Sequence, residues 1–191
     1  MNVVLASASA RRQELLKRLV ENYQVLVSDF DESSIQFNND CPEYVMELAC
    51  GKALNVAEGL KTASLVIGCD TIVAYEGTVL GKPQDHEDAF FMLKMLSGKK
   101  HQVYSGIALV NTSNGQVRTD FAMTEVKFDQ LSDEEIRRYI ASGEPMDKAG
   151  AYGIQGHGGV FVEEIHGCYY NVVGLPLNKL NKMLKGIGVN L

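Results

Sequence analysis

The chain has 191 residues, of which 46% are hydrophobic and 22% charged, and its net charge is −6. Those values fit one soluble domain with a sizeable core, in one piece or in two lobes. They argue against non-specific nucleic-acid binding, which takes a basic surface.

The opening run Val3-Val4-Leu5-Ala6 reads as a short buried strand, followed by a small-residue turn with Ser7 and Ser9. A helix is predicted from Ala10 to Glu21, with Leu15, Leu16, Leu19 and Val20 at helical spacing. Tyr23 to Val27 is predicted as a strand and residues 28–34 as an acidic loop. A second helix runs from Pro42 to Ala57. Leu65 to Gly68 reads as a buried strand that leads into Cys69-Asp70-Thr71 and continues extended to Tyr75. Glu76-Gly77 is a hairpin signal before Thr78-Val79-Leu80.

Gly81-Lys82-Pro83 is a loop. Asp85 is the expected N-cap of a third helix that buries Ala89, Met92, Leu93 and Leu96 and stops at Ser97-Gly98. Two long antiparallel strands, His101 to Val110 and Gln116 to Phe128, are joined at residues 111–115. Ser132-Asp133-Glu134-Glu135 is a capping box opening a helix that buries Ile136, Tyr139 and Ile140. Residues 150–159 form a glycine-rich loop. Val160 to Val162 and Tyr169 to Val173 are predicted as strands, and Pro176 opens a last helix. The alternation of strands and helices favours an α/β fold.

No apolar run reaches membrane length, and no charged segment followed by an apolar one opens the chain. Cys41, Cys50, Cys69 and Cys168 form no C-x-x-C and no zinc spacing. They are expected to be reduced thiols, in a cytoplasmic protein that meets no membrane.

Several side chains stand out chemically. Arg11 and Arg12 fall in the first turn of a helix, where the helix dipole is positive and cations are disfavoured. With Ser7 and Ser9 beside them they outline a phosphate site. The alternative is a solvated first turn with ion pairs to Glu14 or Glu21. At about 100° per residue, Lys52 falls in the middle of the apolar face made by Val45, Leu48, Ala49 and Val56. It either snorkels past the rim or points into a cleft holding anions.

Asp70 follows a run that reads as a central strand, so it is expected at that strand's C-terminal end, where open α/β sheets bind ligands. It suits a metal ligand or a general base, or else it caps a turn with Thr71. Lys82 and Glu32 are weak signals alone, since loop charges are usually solvated. Glu32 with Asp70 could hold one Mg²⁺, which favours carboxylates, waters and substrate phosphates. Gln155, in the glycine-dense segment 146–156, offers a donor and an acceptor suited to a base edge. No Walker loop, G-x-G-x-x-G or G-x-S-x-G is present.

Five segments together resemble the Maf family of nucleoside triphosphate pyrophosphatases. They are Leu5 to Arg12, Gly68 to Val73, Gly81 to Pro83, Asp147 to Gly156 and Val173 to Pro176. One departure is Ala10, where the family usually has proline; alanine is a sound first-turn residue.

The resemblance implies a single two-lobed domain over 1–191. It would be Maf/ITPase-like, with a mixed central sheet flanked by helices and a cleft between the lobes. It implies hydrolysis of a nucleoside triphosphate to the monophosphate and pyrophosphate with a divalent metal, Mg²⁺ or Mn²⁺. Asp70 falls at the family's proton-acceptor position. Ser7, Arg12, Glu32, Lys52 and Lys82 fall at its phosphate- and metal-handling positions, Glu32 and Asp70 being the metal pair. Arg11, Thr71 and Gln155 fall at positions tied to substrate choice.

The form of the glycine-rich segment is similar to the branch acting on dTTP and UTP. Alternatives are a house-cleaning pyrophosphatase for modified nucleotides, and a nucleotide sensor that inhibits septum formation in cell division. A homodimer is compatible with the sequence.

Overall fold

Seven strands hydrogen-bond into one mixed sheet in a computed structural model that describes residues 1–189. The last two positions of the expected 1–191 domain lie outside the described residues. The strands are β1 (Asn2–Ala6), β2 (Gln24–Val25), β3 (Ser64–Tyr75), β4 (Thr78–Leu80), β5 (Lys100–Asn111), β6 (Gln116–Phe128) and β7 (Val162–His166). The helices are α1 (Ala10–Leu16), α2 (Cys41–Glu58), α3 (His86–Leu96), α4 (Asp133–Ile140), α5 (Tyr169–Val173) and α6 (Leu177–Gly186).

The strand order is β2-β1-β3-β5-β6-β7, with β4 on β3. β1 pairs parallel with β2 and β3, whereas β4 and β7 pair antiparallel with β3 and β6. The short link between β5 and β6 permits only an antiparallel pair, because a parallel crossover takes a dozen residues or more.

The chain divides into two compact units. The first holds Met1–Asp70, Ser105–Ala122 and the chain from Gly174; the second holds Thr71–Tyr104 and Met123–Val173. In the first unit, Val3 to Ala6 and Leu65 to Ile67 are buried without alternation, the pattern of strands covered on both faces. One face carries a cluster in which Val4, Ala6, Val66, Ala108 and Val110 meet Ala49, Ala53 and Val56 of α2.

The second unit has an aromatic core of Phe90, Phe128, Tyr139, Tyr152 and Phe161 among aliphatic side chains. The β3–β4 hairpin turns through Glu76 (φ 48) and Gly77 (φ 79), the positive pair that a tight turn between twisted strands requires. The capping box of α4 forms as expected: Ser132 Oγ accepts from the Glu135 amide, and the Glu135 carboxylate accepts from the Ser132 amide.

Several expectations need correction. α1 ends at Leu16 rather than Glu21, because the chain tightens into i→i−3 bonds (Arg18 N to Leu15 O, 3.1 Å; Leu19 N to Leu16 O, 2.9 Å). The strand expected over 23–27 forms only at Gln24–Val25, with a last bond from Leu26 N to Leu5 O (3.1 Å), and Ser28 then turns to bond Asn55 of α2. Residues 157–161 form a 3₁₀ turn, so the strand expected to begin at Val160 begins at Val162. Tyr169–Val173 is a helix, not a strand; its Asn171 amide donates to Val103 O (2.9 Å) and Thr124 Oγ1 (3.0 Å). Met92 is only half-buried, packed against the core that Phe90 enters.

Candidate active site

The site is built where α2 lies directly on β3. Gly68 makes the contact: a Cβ there would sit 2.2 Å from Ala49 O and 2.8 Å from the Ala53 Cβ. Gly106 of β5 meets the same helix, where a Cβ would lie 2.0 Å from Val45 O. Side chains two apart on a strand share a face, so Asp70 points to the same helix as Gly68. Lys52, next to Ala53 and one turn beyond Ala49, is the α2 residue it meets. Lys52 Nζ donates to Asp70 Oδ1, with side-chain exposures of 14% and 11%.

Asp70 does not end its strand, contrary to expectation. β3 runs on to Tyr75, so Asp70 lies inside it. It is nonetheless two residues past Gly68, which pairs with Ala6 at the end of parallel β1.

The acidic loop is fastened to α2 on both sides of Lys52. Asn55 Oδ1 accepts from Ser28 Oγ (2.8 Å) and the Asp29 amide (3.2 Å). Phe30 covers Gly51, where a Cβ would come within 2.4 Å of the ring. Asp31 then caps a short 3₁₀ turn, accepting from the Ser33 amide at 3.0 Å. These anchors carry Glu32 to Lys52, with Nζ to Oε1 at 2.8 Å. Burial pulls the Lys52 pKa down, but Asp70 and Glu32 outweigh it and leave it above the usual lysine value, so the ammonium is charged at neutral pH.

Arg12 is aimed by the turn after β1. Ser9 caps α1, its hydroxyl accepting from the Arg12 amide at 3.4 Å, and buried Ser7 accepts from the Ser9 amide at 3.2 Å. The guanidinium donates to Ser7 Oγ (Nη1, 3.4 Å) and to Gly174 O (Nε, 2.9 Å). Gly174 O also accepts from the Cys69 thiol at 3.2 Å. Burial pushes that thiol above its ordinary range, and the shared Gly174 carbonyl sets the Arg12 fork beside Cys69, the neighbour of Asp70 in β3. The first unit thus brings together Ser7, Arg12, Glu32, Lys52 and Asp70. Arg11 stands beside them, half-buried in the first turn of α1.

The other candidates belong to the second unit. Thr71 is half-buried in β3, and Lys82 is exposed on the loop after β4, next to buried Pro83. That loop touches the glycine-rich segment, the Gly150 amide donating to Gly81 O at 3.0 Å. Gln155 is exposed on a turn closed by Gly156 N to Gly153 O, 3.2 Å.

Among the described residues no group of three His, Cys, Asp or Glu could hold a metal. Asp70 and Glu32 nevertheless converge on one nitrogen. Two carboxylates at one point fit a hard divalent cation that completes its shell from waters and substrate phosphates.

The sequence reading missed two participants. The Gly174 carbonyl that holds Arg12 lies within Val173 to Pro176, but a backbone acceptor has no side-chain signal. Glu144 organises the Gln155 turn, and only its place before Pro145 hinted at a built loop.

An α/β protein that gathers two cations, a hydroxyl and two carboxylates beyond parallel β1 has the make-up of one that binds a polyanion. The chain belongs to the Maf-like protein family, whose model matches residues 2–187. A dTTP/UTP pyrophosphatase of Clostridium novyi is 61% identical over 191 residues, covering 100% of both chains. One from Clostridium botulinum is 60% identical, covering 100% of this chain and 99% of its own. One from Clostridium tetani is 59% identical, covering 100% of both. A solved nucleoside-triphosphatase / dITP/XTP pyrophosphatase from Mycobacterium abscessus aligns over 98% of this chain and 95% of its own, at 14% identity and a TM-score of 0.46, too distant a likeness to inform the site.

Proposed function

We infer that the protein hydrolyses dTTP and UTP to the nucleoside monophosphate and pyrophosphate. The full-length likeness to dTTP/UTP pyrophosphatases supports the reaction. The observation that carries the chemistry is the half-buried Lys52 ammonium between Asp70 and Glu32.

Lys52 engages Asp70 Oδ1 and leaves the second carboxylate oxygen to take a proton from water. That water attacks the α-phosphorus; a new P–O bond forms there, and the bond to the leaving pyrophosphate breaks. Arg12, Lys52 and Lys82 meet the negative charge of the phosphates, and Ser7 holds the Arg12 fork in place. Asp70 and Glu32 would hold a divalent cation, which supplies further charge neutralisation when bound. Thr71, Gln155 and Arg11 read the pyrimidine. A purine leaves such polar groups unpaired, which is a strong basis for rejection. Four free thiols support a reducing, cytoplasmic setting.

Pyrophosphate release across a panel of triphosphates, with Mg²⁺ and with Mn²⁺, tests the reading. dTTP and UTP should exceed ATP and GTP by roughly two orders of magnitude in kcat/KM. A flat profile would retire the pyrimidine assignment, preference for modified bases would favour a house-cleaning role, and binding without pyrophosphate release would favour a sensor.

A further inference from the structure

The turn that presents Gln155 is held at both ends by one pair of side chains. At its start, the Gly153 amide donates to Tyr139 Oη at 3.1 Å. That hydroxyl donates to Glu144 Oε1 at 2.8 Å. Just past its end, the Gly158 amide donates to the same Oε1 at 3.2 Å, and the His157 amide to Oε2 at 2.9 Å. Both carboxylate oxygens are engaged, and two of the bonds come from consecutive backbone amides.

The glycines of this segment are the spaces that the pair requires. A Cβ on Gly156 would lie 2.3 Å from Glu144 Oε2, and one on Gly158 would lie 2.7 Å from Tyr139 Oη. The pair itself is fixed from below. Tyr139 is 5% exposed, with Phe161 edge-on at 5.1 Å, and the Glu144 backbone carbonyl accepts from Lys148 Nζ at 2.7 Å. Neither Glu144 nor Tyr139 is needed for the proposed hydrolysis step. A carboxylate gripping consecutive amides is a strong way to set a loop, since charge-assisted bonds are roughly twice as strong as neutral ones.

We propose that Glu144 and Tyr139 are positioning residues for Gln155 and thereby determine base choice. The proposal rests on the reading that Gln155 meets the base. Selection by hydrogen bonds to a base edge demands placement that a loose turn cannot give. Loss of the carboxylate therefore weakens the cognate substrate more than a non-cognate one.

The test compares wild type with Glu144→Ala, Glu144→Gln and Tyr139→Phe. It reads kcat and KM for dTTP and ATP, and amide hydrogen exchange over residues 153–158. Glu144→Ala should lower kcat/KM for dTTP on the order of 10-fold, chiefly through KM, with ATP little changed and with faster exchange in the turn. Glu144→Gln keeps an acceptor for Tyr139 and Gly158 but turns a donor toward the His157 amide, so it should restore part of the selectivity. Tyr139→Phe, which leaves the carboxylate in place, decides the matter if Glu144→Ala does not fold: it should release the Gly153 amide and lower selectivity. Unchanged selectivity, or an equal loss for dTTP and ATP, would overturn the proposal while wild type still prefers dTTP. A wild type without that preference would instead overturn the functional reading beneath it.

Discussion

Lys52 and Asp70, 18 residues apart in sequence, form an ion pair across the packing of α2 on β3. The pair exists because Gly68 lets the helix backbone touch the strand and Asp70 shares its face. Packing and chemistry are therefore linked: whatever lifts α2 from β3 separates a cation from the proposed base.

Removal of the cation is the first test. Lys52→Met should reduce kcat with dTTP by about 10²–10³-fold, the range for losing one preorganised charge partner in an active site. It also leaves Asp70 buried without its ammonium, so the fold should lose stability as well. Activity within threefold of wild type, measured as pyrophosphate release, would exclude Lys52 from charge handling.

Asp70→Asn keeps shape and a hydrogen-bonding oxygen but removes the proton acceptor. Turnover should fall by about 10²–10⁴-fold with folding intact by circular dichroism. More than a tenth of the normal rate would show that Asp70 is not the base.

Gly68→Ala tests the packing. The methyl would meet Ala49 O at 2.2 Å, a backbone atom that cannot turn aside. Overpacking of this kind costs about 1–3 kcal/mol or more, and activity should fall with it. Gly59→Ala, where a Cβ would have only Val56 O at 3.7 Å, should leave the melting temperature nearly unchanged. Equal effects of the two substitutions would contradict the close approach.

His101 predicts a pH dependence. It is wholly buried, its Nε2 lies 2.9 Å from Tyr152 Oη, and its Nδ1 has no hydrogen-bond partner among the described residues. Burial pulls its pKa from 6.5 down to about 4. The unfolded chain takes the proton first, so the stabilisation is full above pH 6.5 and is lost as pH falls toward 4. Unfolding free energies from urea titrations across that interval should show a slope approaching about 1.4 kcal/mol per pH unit from this group. His101→Gln should remove that share of the slope; an unchanged slope would assign the effect to other groups.

Much of this organisation was legible in the sequence. Local signals with a definite period or cap identified α2, α3, α4 and the long strands, because each is set by neighbours within a turn or two. Tyr169–Val173 misled because its β-branched and aromatic run suits a strand, yet tertiary bonds from Asn171 fix it as a short helix. Lys52 was legible as a charge on an apolar face. Its meeting with Asp70 depends on a helix–strand contact that no local pattern encodes. Glu144 was missed for the same reason, since its partners at residues 139, 157 and 158 converge only in the folded loop.

The most direct measurement of the proposed chemistry is hydrolysis of dTTP in ¹⁸O-labelled water with the products resolved by mass spectrometry. Attack at the α-phosphorus places the label in dTMP and leaves pyrophosphate unlabelled. Label in pyrophosphate, or release of inorganic phosphate in its place, would contradict the account.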